Sequence, residues 1–240
     1  MTLPDALVGP AIKGQMPGDW QSRLRAKVTP SVEKRDPDPV RTLDHIQTAS
    51  ISFRNMSKYG DLLVRYLEVR KEIFLDQLHW TVSTADGMEF DQYDTPFCRW
   101  IVLHQHGEVL GGVRVMPTKS SCGIYSYMIR DAQQGLLDDL PTDILFFEAP
   151  VEDNVWEATR FFVTDAVPAR LRLRVQSMLF HAMSKTAVEN GANYILGIVP
   201  ELWSRWGRRL GAKATPIGSK FTIDTTTSQA VLFRTSDYFS

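Results

Sequence analysis

Apolar positions recur every three to four residues between Tyr59 and Leu78, a period that predicts a helix. Leu62, Tyr66, Val69 and Ile73 form one stripe, and Leu63, Leu67, Arg70 and Phe74 a second at the same spacing. Arg70 therefore stands in an apolar row, where it either snorkels over the core edge or serves a site. Period-two alternation predicts a strand over 99–105, a tight turn at His106-Gly107 and a partner strand over 109–116. In that partner Leu110, Gly112, Arg114 and Met116 share a face, and Gly111-Gly112 implies a bulge or a close backbone approach. Further strands are predicted over 51–53, 156–163 and 193–199, with one or two more over 217–234. The clearest helix spans 170–190, with Leu171, Val175, Met178, Leu179 and Ala182 as its buried stripe and Gly191 as its C-terminal stop. Another helix is predicted over 201–210. Residues 79–97 read as an ordered loop, long enough to suggest function, and 119–143 as short helices or irregular turns.

This order of elements predicts a single mixed α/β domain over residues 51–240, its central sheet flanked by helices. The 156–163, 170–190 and 193–199 elements would make a right-handed βαβ unit. Residues 1–50 stand apart: they hold six of the 13 prolines and read as a loosely ordered extension. Composition excludes more than it selects. Hydrophobic residues are 43% of the 240 and charged residues 23%, as in an ordinary soluble domain. A net charge of −1 gives no global field for nucleic acid or membrane. The two cysteines, Cys98 and Cys122, lack metal-ligand spacing. The N-terminus lacks a continuous apolar signal core and no apolar run reaches about 18 residues, so a cytoplasmic protein is expected.

Charges that interrupt apolar elements change this picture. Arg70 and Arg114 sit in the predicted helix and strand, Asp91 and Asp94 in the 79–97 loop, and Glu157 and Arg160 in the 156–163 strand. Buried charge is costly unless paired, so these residues predict one partly buried polar cluster, the usual mark of a site.

The spacing of Arg70, Phe74, Trp80, Asp91, Asp94, Arg114 and then Glu157-x-x-Arg160 resembles that of the LuxI-type acyl-homoserine-lactone synthases of quorum sensing. The motifs Gly-Met-Glu-x-Asp-x-x-Asp and Arg-Phe-Phe-Val fall in register with it, over roughly residues 51–235. The resemblance implies an N-acyltransferase fold related to the GNAT acetyltransferases. It implies an acyl chain carried by acyl carrier protein, or by coenzyme A, and S-adenosylmethionine as a second substrate rather than a cofactor. The amine attacks the thioester, and the methionine carboxylate then closes the lactone and expels methylthioadenosine, without a metal. A monomer is expected.

Acylation needs a neutral amine, so a proton acceptor is required, and Glu157 is the candidate; the plainer reading is that it pairs with an arginine. Direct transfer is favoured over a covalent enzyme intermediate, since no Ser/His/Asp or Cys/His arrangement is evident. Backbone N–H groups around Arg160 could hold the oxyanion if the strand bulges there. Glu157 and Arg160, three apart, would otherwise face opposite sides. Phe74 and Trp80 suit a sulfonium, and Arg70, Arg114, Asp91 and Asp94 its polar ends or one another. Phe161, Phe162 and Gly197 are the candidate acyl pocket. In the resemblance, Gly197 stands where a Thr often accompanies 3-oxo chains, so an unsubstituted chain is expected. Arg170, Arg174 and Lys185, with Arg208 and Arg209, are the candidate dock for an acidic carrier protein; the plainer reading is a solvated face that also includes His181. Two alternatives stand beside this. One is a GNAT-like enzyme acylating another amine from acyl-CoA, weakened because Val167–Arg174 has no glycine for a pyrophosphate loop. The other is a non-catalytic module that binds an acyl carrier.

Overall fold

In a computed structural model describing residues 44–201, 207, 213–223 and 225–238, nine strands and three α-helices alternate along the chain. The strands are β1 (Gln47–Ile51), β2 (Thr84–Ala85), β3 (Met88–Glu89), β4 (Arg99–Gln105), β5 (Glu108–Pro117), β6 (Val155–Val163), β7 (Tyr194–Pro200), β8 (Ala214–Ile223) and β9 (Thr226–Arg234). The helices are α1 (Leu62–Lys71), α2 (Met128–Gln133) and α3 (Ala169–Glu189). Seven strands form one sheet in the order β1-β4-β5-β6-β7-β9-β8, while β2 and β3 make a separate hairpin. Among the described strands only β6 and β7 pair in parallel, with α3 crossing over between them. The mixed α/β sheet flanked by helices is thus as the pattern predicts.

The sheet separates two apolar cores. On one face α3 lays Val175, Leu179, Phe180 and Met183 against Ile101, Leu103, Val113, Val115, Ile195 and Phe233. On the other, α1, α2 and the loops between them cover Trp100, Met116, Phe162 and Leu196. The β4–β5 hairpin turns at His106 and Gly107, both at positive φ (52° and 89°), as a two-residue turn between twisted strands requires. Asp86 and Gly87 do the same (49° and 82°) between β2 and β3, inside the stretch expected to be plain loop.

Several expectations are corrected. The first strand starts at Gln47, within the span assigned to the extension, because residues 47–51 pair along β4. Residues 1–43 lie outside the described residues. The helix expected over 59–78 is interrupted: a 3₁₀ turn at Met56–Tyr59 precedes α1, and a π-helical turn at Glu72–Gln77 follows it. The wider turn, closed by Leu78 N–H donating to the Ile73 carbonyl (3.0 Å), buries both Ile73 and Phe74. Leu110 does not share a face with Gly112, Arg114 and Met116. The β4–β5 register slips between Leu103 and His104, and this bulge turns Leu110 toward α3. Gly112 also meets the expected close approach, since a Cβ there would lie 2.3 Å from the Tyr66 ring. The helix predicted over 201–210 lies, apart from Glu201 and Gly207, outside the described residues.

Candidate active site

Three arginines and three carboxylates meet on the α1 face of the sheet. Arg70 projects from α1 and is fully buried, so the snorkelling reading fails. Its guanidinium forks onto Asp94, Nη1 donating to Oδ1 (2.8 Å) and Nη2 to Oδ2 (3.1 Å), while Nε donates to Glu89. Arg114, on β5, donates from Nε to Thr159 Oγ1 (3.0 Å), grips Asp91 with both Nη groups and reaches Asp94 Oδ2 at 3.0 Å. Arg160, the most exposed of the three, donates to Glu89 Oε1 (3.0 Å) and Asp91 Oδ2 (3.0 Å). Trp100 Nε1 completes Asp94 at 2.8 Å. Burial acts to raise the Asp94 carboxyl, but Arg114 and Arg70 outweigh it and hold Asp94 well below the usual carboxylate range. Asp91 is lowered in the same way, by Arg114 and Arg160 against burial. Such satisfied forks resist dissection, because removing one partner strands the other.

Arg160 reaches this cluster through a bulge. Thr159 pairs with Arg114 and Phe162 with Gly112, so Arg160 and Phe161 together face one residue of β5. Arg160 takes φ 57°, and the kink turns its side chain to the Glu89 side. Of the two outcomes that the three-residue spacing allowed, the bulge is the one found. It also divides the expected acyl pocket. Phe162 packs beside Tyr66 and Phe74, whereas Phe161 lies on the opposite face against Phe180. Gly197 is on that opposite face too, by alternation with Leu196 and Ile198. A Cβ at Gly197 would stand 2.9 Å from the Ala158 carbonyl oxygen, so close strand packing accounts for the glycine. The structure therefore brings Phe162 to the site but not Phe161 or Gly197.

Phe74 and Trp80 stack with ring centroids 5.0 Å apart, and the Arg160 guanidinium lies 5.3 Å over the Phe74 ring. With Phe162 they line an aromatic wall beside the cluster.

Among the described residues, Glu157 does not pair with an arginine side chain by hydrogen bond. Its carboxylate, fully buried, accepts Met128 N–H at Oε2 (2.9 Å) and Ile129 N–H at Oε1 (2.8 Å), at the start of α2. Burial pushes its pKa up to about 7, against the pull of these two amides and of Arg114, with Asp131 adding upward pressure. A carboxylate near neutrality suits proton transfer. It sits where β6 and β7 fork: the strands pair from Val155–Ala158 against Tyr194–Gly197, and no pair is formed beyond, although both continue. The fork leaves the bulged backbone of β6 without a partner strand on that side.

Glu89 and Trp100 escaped the sequence reading. Glu89 lies inside the Gly-Met-Glu-x-Asp motif, two residues before Asp91, a period-two signal on a strand too short to detect. The basic stripe behaves as a surface: Arg170, Arg174, His181 and Lys185 are all exposed on α3, and Lys185 lies 3.9 Å from Glu189. Arg208 and Arg209 lie outside the described residues. Cys98 is buried with Sγ 3.1 Å from the Thr95 carbonyl, and burial pushes its thiol up to about 12, which makes it a poor nucleophile. Among the described residues no group of three or more His, Cys, Asp or Glu is arranged to hold a metal ion, and no helix is long and apolar enough to cross a membrane.

The autoinducer synthase family model matches residues 54–238. Isovaleryl-homoserine lactone synthase of Bradyrhizobium diazoefficiens is 26% identical over 172 residues, covering 70% of this chain and 71% of that one. An acyl-homoserine-lactone synthase of Aeromonas hydrophila is 26% identical over 159 residues, covering 65% and 70%. Among solved structures, the synthase LasI superposes with a TM-score of 0.65 at 20% identity, covering 80% of this chain and 90% of that one. The CoA-dependent synthase BjaI, solved with SAM and isopentyl-CoA, gives 0.63 at 22%, covering 79% and 83%. Both share the fold seen here.

Proposed function

The chain belongs to the autoinducer synthase family, and on that premise we propose how this acyl-homoserine-lactone synthase uses its buried polar face. The amine of S-adenosylmethionine attacks an acyl thioester near the β6–β7 fork. Glu157 accepts the amine proton, directly or through a water. The observation that carries the reading is this carboxyl, fully buried, raised to about 7 and standing at the fork beside the arginine cluster. Backbone N–H groups at the Thr159–Phe162 bulge stabilise the oxyanion.

The cluster of Arg70, Arg114 and Arg160 with Glu89, Asp91 and Asp94 is structural first: it fixes the aromatic wall and offers Arg160, its most exposed member, to a substrate carboxylate. Phe74 and Trp80 face the sulfonium and the adenosyl group. Lactone closure then needs only the methionine carboxylate held near its own γ-carbon with water excluded, and methylthioadenosine leaves. S-adenosylmethionine is consumed as a substrate. Phe162 borders the acyl chain. Arg170, Arg174 and Lys185 would receive an acidic carrier protein, and the isopentyl-CoA held by BjaI keeps coenzyme A as the other donor.

The test is thiol release from matched carrier-protein and coenzyme A thioesters, with and without S-adenosylmethionine. Release that requires S-adenosylmethionine, with methylthioadenosine formed, supports the reading. Release driven by another amine selects a different N-acyltransferase, and tight binding without turnover selects a binding module.

A further inference from the structure

A second buried carboxylate stands beside Glu157 that the reaction as proposed does not use. Asp131, on α2, is fully buried and accepts four hydrogen bonds. Ser126 N–H donates to both of its oxygens at 3.0 Å, Ser126 Oγ donates at 2.6 Å, and Tyr93 Oη donates at 3.0 Å. These bonds tie Ser126 to the residue five positions on and so set the turn from which Met128 and Ile129 aim their amides at Glu157. Tyr93 adds a link to the arginine cluster: its own N–H donates to Asp91 Oδ1 (2.8 Å), and the Arg114 guanidinium lies 5.6 Å over its ring. Asp131 thus ends a chain of contacts running from Arg114 and Asp91 to the two amides that hold the candidate base.

We infer that Asp131 is a positioning residue: it locks the start of α2 around the Glu157 carboxylate and keeps a fixed negative charge beside it. The inference rests on the proposed role of Glu157. Three donors, making four hydrogen bonds, hold the Asp131 carboxylate in place. A fixed anion nearby disfavours a second charge, so Asp131 keeps Glu157 a stronger base than its two amides and Arg114 alone would leave it. The groups that act on Glu157 are Arg114 from β5, Asp131 from α2, Tyr127 just before α2, and Tyr93 from the loop after β3. Of these, Asp131 is the carboxylate that pushes Glu157 upward, while burial raises both tyrosines above their ordinary values and leaves them neutral.

The experiment titrates Glu157 directly, by carbon NMR of protein labelled at glutamate side-chain carboxyls, with Glu157→Gln assigning the signal. The pH profile of S-adenosylmethionine-dependent thiol release is measured in parallel. Asp131→Asn should lower the titration midpoint by roughly half a unit to one unit. One unit below the wild-type midpoint, the variant should then keep a roughly three- to fivefold larger share of its own plateau rate. Tyr93→Phe, which removes one donor from Asp131 but leaves the charge, should move the midpoint the other way. A purely structural role would lower the plateau of both variants without moving the midpoint, and that result overturns the inference. A midpoint that moves while the acid limb of the rate stays fixed upholds Asp131 as the residue that tunes Glu157 but removes Glu157 as the proton acceptor.

Discussion

The two faces of the central sheet are both buried, yet they are held by different physics. Under α3, leucine, valine, isoleucine and phenylalanine interlock without an ion pair among the buried residues described. Under α1 and α2, an apolar core of comparable make-up surrounds Arg70, Arg114, Glu89, Asp94, Asp131 and Glu157, all buried. Dispersion and burial stabilise the first face, and any residue of similar shape and polarity serves there. The second face pays heavily to desolvate its charges, which is justified only by mutual satisfaction or by chemistry. The difference teaches that this sheet is a scaffold on one side and a site on the other, with β6 shared between them. Its bulge sends Phe161 to the scaffold side and Arg160 to the site.

The largest effect should come from breaking the charge network. Asp94→Ala leaves Arg70, Arg114 and the Trp100 N–H without their common acceptor and should cost about 3–5 kcal/mol in urea unfolding. Leu179→Ala under α3 should cost a similar ~2–5 kcal/mol through its cavity, but with normal turnover per folded molecule. If Asp94→Ala also left turnover per folded molecule intact, the division between scaffold and site would fail.

Two acids on the site face should respond to pH with opposite signs. Asp94 is held low when folded, so its contribution is present above the unfolded carboxylate value and fades as pH falls toward its folded value. Glu157 is raised to about 7, so its relative contribution is full below the unfolded value near 4.5 and is lost as pH rises through 7. Relative to Glu157→Gln, the wild type should therefore lose about 2.5 kcal/mol of stability between pH 5 and 9. Parallel urea curves across that range check this, and a constant difference would mean that Glu157 titrates normally.

Gly197 probes the shared border. Gly197→Thr should cost ~1–3 kcal/mol by pushing its Cβ into the Ala158 carbonyl. Because position 197 faces α3, the change should not alter the preference between matched 3-oxo and unsubstituted thioesters; a narrowed preference would return Gly197 to the acyl site. The smallest effect is expected outermost. Reversing Arg170 and Arg174 to Glu should leave stability within ~0.5 kcal/mol, while raising the apparent KM for an acidic carrier and weakening its salt dependence. An unchanged KM at low ionic strength would leave α3 with a solvated face only.

How much of this was legible follows the same division. The α3 side could be read from the chain because amphipathic helices and alternating strands write their packing in local period. Arg70 was legible as an anomaly, since its place in an apolar row is a periodic fact. The π turn at Glu72–Gln77 and the bulge at Leu110 were not, because one inserted residue shifts a face without changing the local composition. The glycine pair signalled a bulge but not which neighbour it would turn. The spacing of Glu157 and Arg160 posed the choice that the bulge resolves. The hold on Glu157 was beyond reach: its partners are backbone amides 28 and 29 residues away, in a stretch with no clear period. That Phe161 and Gly197 lie on the face opposite the charge cluster was hidden for the complementary reason, that motif adjacency ignores which face a strand residue takes.

The most direct test of the site face is S-adenosylmethionine-dependent thiol release by purified Glu157→Gln at pH 8, where the wild-type carboxylate is ionised. With the fold verified by its unfolding transition, the rate should fall by ~10²-fold or more. A folded variant that turns over near the wild-type rate would contradict Glu157 as the proton acceptor and leave its burial at the β6–β7 fork a matter of structure alone.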